Sequence, residues 1–215
     1  MIKKIKICGV KDPKDISVCN ELGIDFIGFN FADVSPRKIK PSEADKNNLS
    51  SYCKKIDRVA VFVDPSDQYL DKCIRSIDAT YIQLHGNEST KRCLDIKKMF
   101  NLPIIKAFGI NTVKDLDNAV IYENVVDYFL FDAKPSNENS NQKGGLNKVF
   151  NWEILSNWKV KKFFLAGGIN INNIQSAIND TNAFCFDISS GVEKALGVKD
   201  SNMIKKLYAE FKALV

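Results

Sequence analysis

The stretch Lys3-Lys4-Ile5-Lys6-Ile7-Cys8-Gly9 sets a pattern that the rest of the chain repeats. Side chains alternate along a strand, so Lys6 and Cys8 share one face and the isoleucines share the other. A helical segment then begins at Pro13, a favoured first helical residue, and ends at Gly23. Another apolar stretch follows directly. The start of the chain therefore predicts a strand, a helix and a second strand.

The same unit recurs to the end of the chain. Short runs rich in β-branched and aromatic residues predict eight strands, spaced as a strand plus a crossover helix requires. A helix is also predicted from Ser42, after Pro41, and the last one, near Asn202 to Leu214, is amphipathic. The predicted strands cover Lys3–Gly9, Asp25–Phe31, Arg58–Asp64, Tyr81–Gly86, Pro103–Gly109, Asp127–Lys134, Lys162–Gly168 and Ala183–Ser189.

Eight alternating strand and helix units predict an α/β fold with a parallel sheet. An open doubly wound sheet is the competing topology, but eight units in 215 residues fit a closed barrel better. No change of composition or Pro-rich linker marks a boundary, so we expect residues 1–215 to form a single (β/α)8 TIM-barrel domain. The polar stretch Pro135–Lys148 is expected to be a long loop at the active face.

Composition limits the classes of function. The net charge of +5 comes from 31 basic and 26 acidic residues that are interspersed, and no basic stripe carries aromatics. We therefore expect no nucleic-acid partner, although a modest positive field suits an anionic substrate. The six cysteines form no C-x-x-C pair and the sequence contains no long apolar run, and from the strand-like start at Met1-Ile2-Lys3-Lys4 we expect no signal peptide. These features predict a cytoplasmic, disulfide-free protein without a membrane segment.

Polar residues stand at the predicted strand ends, where barrels of this type build their active sites. Cys8 ends the first strand, His85 the fourth, Asp132 the sixth and Asp187 the eighth. These side chains are candidates for proton transfer and substrate binding.

Glycines follow the last two strands, in Ala166-Gly167-Gly168-Ile169 and in Asp187-Ile188-Ser189-Ser190-Gly191. Glycine lets the backbone approach an anion, and exposed amides can donate hydrogen bonds to it. Loops at these two positions are a recurrent phosphate site in such barrels. The alternative is a tight strand-to-helix turn without a ligand. We predict a phosphate site formed by Gly167, Gly168, Ser189, Ser190 and Gly191.

Taken together, these residues resemble the phosphoribosylanthranilate isomerase family. The motif Lys6-Ile7-Cys8-Gly9 near the start and the motif Ser189-Ser190-Gly191-Val192-Glu193 near the end are specific in combination, although each alone is weak. The motifs occur in the expected order over nearly the whole chain: Lys6-Ile7-Cys8-Gly9, Ser35-Pro36-Arg37, Val61-Phe62-Val63, Gln83-Leu84-His85-Gly86, Phe131-Asp132, Ala166-Gly167-Gly168-Ile169 and Asp187-Ile188-Ser189-Ser190-Gly191-Val192-Glu193.

The resemblance implies an aldose–ketose isomerase of tryptophan biosynthesis that needs neither a metal nor an organic cofactor. N-(5-phospho-β-D-ribosyl)anthranilate would be converted to 1-(2-carboxyphenylamino)-1-deoxy-D-ribulose 5-phosphate in an Amadori rearrangement. Asp132 would be the general acid and Cys8 the general base, on strands at opposite sides of the barrel. These roles call for a raised pKa at Asp132 and a lowered pKa at Cys8, where Lys6 could help.

The resemblance also implies binding residues. Arg37 would bind the anthranilate carboxylate, His85 would lie beside the anthranilate ring, and Asp187 would hold a sugar hydroxyl or orient its loop. Gly144 and Gly145 would contribute to the phosphate site, although the following Leu146 and Asn147 depart from the family's Gly-Gly-Thr-Gly. Similarly, the family's threonine after Cys8 is replaced in Gly9-Val10-Lys11.

Two rival functions stay open at this stage. The related isomerase of histidine biosynthesis has the same barrel, but it uses carboxylates at both catalytic positions and two phosphate sites, so Cys8 argues against it. A non-catalytic phosphate-binding barrel is the other, and retention of both Cys8 and Asp132 argues against that. The expected partner is a small sugar phosphate, and the resemblance allows a monomer or a homodimer.

Overall fold

A computed structural model of the chain describes residues 2–133, 151–156 and 158–215. Eight parallel strands close into a barrel in chain order, so the predicted TIM-barrel fold is confirmed. No end of a predicted strand differs from the observed one by more than three residues. The strands are β1 (Lys4–Cys8), β2 (Phe26–Asn30), β3 (Asp57–Phe62), β4 (Tyr81–Leu84), β5 (Ile104–Ile110), β6 (Tyr128–Ala133), β7 (Phe163–Leu165) and β8 (Cys185–Ile188).

Helices cover the outside of the barrel. The first begins at Pro13, where Asp12 accepts a hydrogen bond from Lys14 N, and ends at Leu22, followed by the C-cap Gly23, whose φ of 76° suits glycine. A short 3-10 helix, Trp152–Leu155, precedes β7. The helices are α1 (Pro13–Leu22), α2 (Pro41–Lys46), α3 (Leu49–Tyr52), α4 (Asp67–Ile77), α5 (Thr90–Phe100), α6 (Val113–Val120), α7 (Ile174–Asp180) and α8 (Ser201–Leu214).

The strands bury both of their faces. Ile5 and Ile7 belong to the large apolar core between strands and helices, as their alternation predicts. The opposite faces fill the barrel interior, where Phe26 and Phe164 pack edge to face with ring centroids 5.3 Å apart. Cys8 lies at the edge of this inner core. The barrel is therefore a packed scaffold that holds the strand ends in fixed positions.

A hairpin that the sequence did not predict lies between β8 and α8. It consists of two antiparallel strands, β9 (Glu193–Ala195) and β10 (Val198–Lys199), joined through Gly197. Gly197 has a φ of 75°, and a Cβ atom there would stand 2.8 Å from Pro36 O. The hairpin therefore packs against the loop that follows β2. No helix in the described part of the chain is long and apolar enough to cross a bilayer.

Candidate active site

One cavity opens at the carboxyl ends of the strands, and it collects most of the predicted site residues. Gly191 lies just outside its lining, and the predicted Gly144 and Gly145, with the loop that carries them, lie outside the described residues. The predicted residues that line the cavity are Cys8, Arg37, His85, Asp132, Gly167, Gly168, Asp187, Ser189 and Ser190.

Cys8 and Asp132 line this cavity from β1 and β6. In a ring of eight strands β5 is the one opposite β1, whereas β6 is separated from β1 only by β7 and β8. The expectation that the two strands lie on opposite sides is therefore corrected by one strand position. The thiol and the carboxyl group still project into the same space.

Cys8 is buried, with 8% of the residue exposed, and its sulfur lies against Gly28 of β2. A Cβ atom at Gly28 would stand 2.7 Å from Cys8 Sγ, so only glycine on β2 leaves room for the sulfur. Burial raises the pKa of Cys8, and Asp187 adds to the rise, while Lys6 and Lys199 oppose it. The expectation of a lowered pKa at Cys8 is therefore wrong, because loss of water outweighs the nearby cations.

Lys6 lies fully buried beneath the cavity. Its Nζ donates to Gln83 Oε1 at 2.7 Å and to Asp187 Oδ2 at 2.8 Å. Burial alone would lower the pKa of Lys6, but the charges of Asp187 and Cys8 raise it to about 12. Lys6 therefore keeps a full positive charge next to the thiol, and Asp187 offsets part of it.

Asp132 has the properties of an acid that keeps its proton near neutrality. Burial, aided by the charge of Asp187, raises its pKa to about 7, against a hydrogen bond from Ala133 N that favours the ionised form. Asp132 Oδ2 also lies 3.7 Å from His85 Nε2. This agrees with the raised pKa expected for Asp132.

Asp187 lines the cavity and has one carboxylate oxygen without a hydrogen-bond partner among the described residues. Its Oδ2 is bound by Lys6, whereas its buried Oδ1 accepts no hydrogen bond from any residue that the structure describes. A buried carboxylate oxygen without a partner is costly, so it is suited to accept a hydrogen bond from a ligand.

Arg37 is buried and held in one orientation. Its Nε and Nη2 donate to the two carboxylate oxygens of Glu193 at 2.7 and 2.8 Å. Burial would raise the pKa of Glu193, but the hydrogen bonds from Arg37 and Lys199 hold it below its usual value. This bidentate pair leaves the guanidinium aligned at the rim of the cavity.

The two glycine-rich loops pack against each other. Asn170 and Gly191 form a parallel bridge, and a Cβ atom at Gly191 would stand 2.0 Å from Ile169 O. Gly167 and Gly168 both have positive φ, at 91° and 68°. Glycine is therefore required here by the backbone itself, whatever the loops bind.

The hydroxyl of Ser189 makes its hydrogen bonds to other protein groups rather than pointing to a ligand. It donates to Cys8 O at 3.0 Å and accepts from Lys199 Nζ at 3.2 Å. Ser190 lines the cavity.

Sequence reasoning missed three contributors. Gly28 makes space for the thiol, Asn30 lines the cavity, and Lys199 binds Glu193 from the unpredicted hairpin. The alternation of β2 could have indicated Gly28, because it is a glycine within a strand pattern. Nothing local marks Lys199. Within the described ranges, no three His, Cys, Asp or Glu side chains are grouped as a metal would require.

A parallel eight-stranded barrel that brings a thiol, a protonatable carboxyl group and an arginine into one cavity defines a class of protein. It is a protein of the TIM-barrel class, with a cavity lined by titratable side chains at the carboxyl ends of its strands.

Comparison with known proteins gives the family. Residues 5–210 match the family described as N-(5'phosphoribosyl)anthranilate (PRA) isomerase. The N-(5'-phosphoribosyl)anthranilate isomerase of Rhizobium rhizogenes is 40% identical over 95% of the chain and 91% of that protein. The enzyme of Brucella canis is 38% identical, over 97% and 93%. The chain belongs to the phosphoribosylanthranilate isomerase family, whose members act in tryptophan biosynthesis.

Solved structures show the same fold. The phosphoribosylanthranilate isomerase of Thermotoga maritima superposes with a TM-score of 0.86 at 31% identity, covering 99% of this chain and all of that one. Another structure of such an enzyme, in complex with reduced 1-(o-carboxyphenylamino)-1-deoxyribulose 5-phosphate, has a TM-score of 0.84 at 29% identity, with coverage of 99% and 100%.

Proposed function

We propose that this chain converts N-(5-phospho-β-D-ribosyl)anthranilate to 1-(2-carboxyphenylamino)-1-deoxy-D-ribulose 5-phosphate, with Asp132 as general acid and Cys8 as general base. The observation that carries the assignment is the buried carboxyl group of Asp132, whose pKa is raised to about 7, in the same cavity as a thiol. An Amadori rearrangement needs one group of each kind.

Asp132 performs the first step. Its pKa, raised to about 7, keeps a protonated form available near neutral pH, so it can give a proton to the furanose ring oxygen. The ring opens, and the C1–O bond is replaced by a protonated imine between C1 and the anthranilate nitrogen. Asp132 is then an anion, and burial next to Asp187 favours its reprotonation.

Cys8 performs the second step. The protonated imine withdraws electrons from C2, so a thiolate at Cys8 can remove the C2 proton. The electron pair of that bond forms an enolamine, which tautomerises to the C2 ketone. C1 is reduced and C2 is oxidised, so the reaction balances without an external oxidant. Lys6 supports the thiolate, because its positive charge lowers the pKa of Cys8 against the effect of burial.

The surrounding groups bind the substrate in this proposal. Arg37, aligned by Glu193, contacts the anthranilate carboxylate, and the free Oδ1 of Asp187 accepts a hydrogen bond from a sugar hydroxyl. The loops after β7 and β8, with Gly144 and Gly145, hold the phosphate, and residue 189 contributes only through its backbone. His85, 3.7 Å from Asp132, lies beside the aromatic ring. The ligand named for the similar solved structure carries both a carboxyl and a phosphate group.

A turnover assay tests the proposal by following the loss of the fluorescent anthranilate adduct. Cys8→Ser and Asp132→Asn should each lose at least about 100-fold in kcat and keep the fold. Cys19→Ala, at a buried helical cysteine, and Asp117→Asn, at an exposed helical aspartate, are matched controls that should retain activity. Turnover of the histidine-pathway substrate instead, or binding without turnover, would contradict the assignment.

A further inference from the structure

Lys199 is a buried cation that the reaction described above does not use. Its side chain is 1% exposed, and burial lowers its pKa. The three N–H donors of its ammonium group match three acceptors: Ser189 O at 2.9 Å, Ser189 Oγ at 3.2 Å and Glu193 Oε1 at 2.8 Å. A lysine is strongly hydrated in water, so burying it is costly unless each donor has a partner.

Glu193 connects Lys199 to Arg37 through hydrogen bonds. Its Oε1 accepts from Lys199 Nζ and from Arg37 Nε, and its Oε2 accepts from Arg37 Nη2 and Gly197 N. Both carboxylate oxygens are therefore saturated by donors from two different loops. Since a bidentate pair fixes the plane of the guanidinium, a shift of Glu193 must turn Arg37.

Ser189 connects Lys199 to the end of β1 in the same way. Its hydroxyl accepts from Lys199 and donates to Cys8 O. Arg37 also packs on this strand end, because a Cβ atom at Gly9 would stand 2.7 Å from Arg37 Cδ. Three loops from neighbouring strands, those after β8, β1 and β2, are thus joined around one ammonium group.

We propose that Lys199 is a positioning residue that fixes the distance between Arg37 and the loop after β8, and hence between the carboxylate and phosphate ends of the substrate. The inference rests on the proposed function, which places those two ends at these two sites. Lys199 itself is not among the residues that line the cavity. A ligand that carries both groups gains from the fixed distance, whereas a ligand that carries only the phosphate does not.

Two inhibitors test whether Lys199 fixes the distance between the two binding sites or only supports the fold. Reduced 1-(o-carboxyphenylamino)-1-deoxyribulose 5-phosphate carries both ends, and ribose 5-phosphate carries only the phosphate. In Lys199→Met the Ki of the first should rise about tenfold or more, and that of the second should change less than about twofold. KM for the substrate should rise with the first Ki, while kcat falls less. Lys194→Met, at an exposed lysine of the same hairpin, is the control and should match the unaltered protein.

A second variant keeps the proposal testable if Lys199→Met does not fold. Glu193→Gln breaks the same link from the other side and should show the same selective loss, and the double variant should be no worse than the worse single one. Equal weakening of both inhibitors, or a Lys199→Met protein that behaves as Lys194→Met, overturns the proposal. If the unaltered protein neither turns over the substrate nor binds the two-ended inhibitor, the proposed function fails, and the inference fails with it.

Discussion

Gly28 on β2 lies against the sulfur of Cys8, at the point where the two strands pair. A Cβ atom at residue 28 would stand 2.7 Å from Cys8 Sγ and 3.2 Å from Lys6 Cε, closer than side chains tolerate. Cys8 pairs with Gly28 in the register of β1 and β2, so neither strand can shift to relieve the contact. The thiol can therefore occupy its position only because residue 28 on the neighbouring strand has no side chain.

Gly28→Ala should lower kcat at least about tenfold, because the added methyl group displaces the thiol from the cavity. The methyl group also lies near Lys6, so a modest fall in the unfolding temperature is expected. Steady-state kinetics and thermal unfolding, run on the same preparation, measure the two effects. An alanine variant with unchanged kcat would show that the thiol position is not limiting.

The pH dependence should show an acidic limb that belongs to Asp132. With Asp132 at about 7 and Cys8 raised above its usual value, the pair of protonated Asp132 and thiolate Cys8 is a minor form at every pH. The population of this active form is largest between the pKa of Asp132 and that of Cys8. The value of kcat/KM should therefore rise with pH through about 7 and fall above the pKa of Cys8.

Asp187→Asn tests the origin of that limb. The charge of Asp187 helps to raise the pKa of Asp132, so its removal should move the acidic limb of kcat/KM to lower pH. Asp117→Asn, remote on α6, should leave the limb in place. A limb that does not move in Asp187→Asn would assign it to another group.

Asp132→Asn should stabilise the fold while it abolishes activity. The carboxyl group has a pKa of about 7 in the folded protein and about 4 when unfolded, so ionisation favours the unfolded chain. The gain should be complete above pH 7, at about 4 kcal/mol for folded and unfolded pKa values of about 7 and about 4, and should vanish below about pH 4. Urea unfolding of both proteins at pH 8 and at pH 4 measures it. A gain of the same size at both pH values would point to packing instead.

Lys6→Met should raise the pKa of the Cys8 thiol still further, since Lys6 is the cation that most opposes burial there. The rate of alkylation against pH reports this pKa, with Cys8→Ser as the background for the other five cysteines, all of them buried. Met keeps the length of the side chain, so packing in the barrel is largely retained. An unchanged thiol pKa would remove Lys6 from the account of the base.

Much of the site follows from where residues stand along the strands. Cys8, Asp132 and Asp187 were predicted at strand ends from alternation and apolar runs, and all three line the cavity. These patterns are local, since each depends only on neighbours along the chain. The hairpin β9–β10 was missed because its strands are only three and two residues long and contain no apolar run.

The sequence by itself determined the eight strands, the closed barrel and the face on which Cys8 and Lys6 lie. Only the tertiary structure decided the charge states: it buried Cys8 and raised its pKa, placed Asp187 near Asp132, and brought Lys199 to Ser189 and Glu193. The physical reason is that strand propensity acts between adjacent residues. Loss of water and the approach of charges depend instead on segments far apart in the chain, which meet only after the barrel has closed.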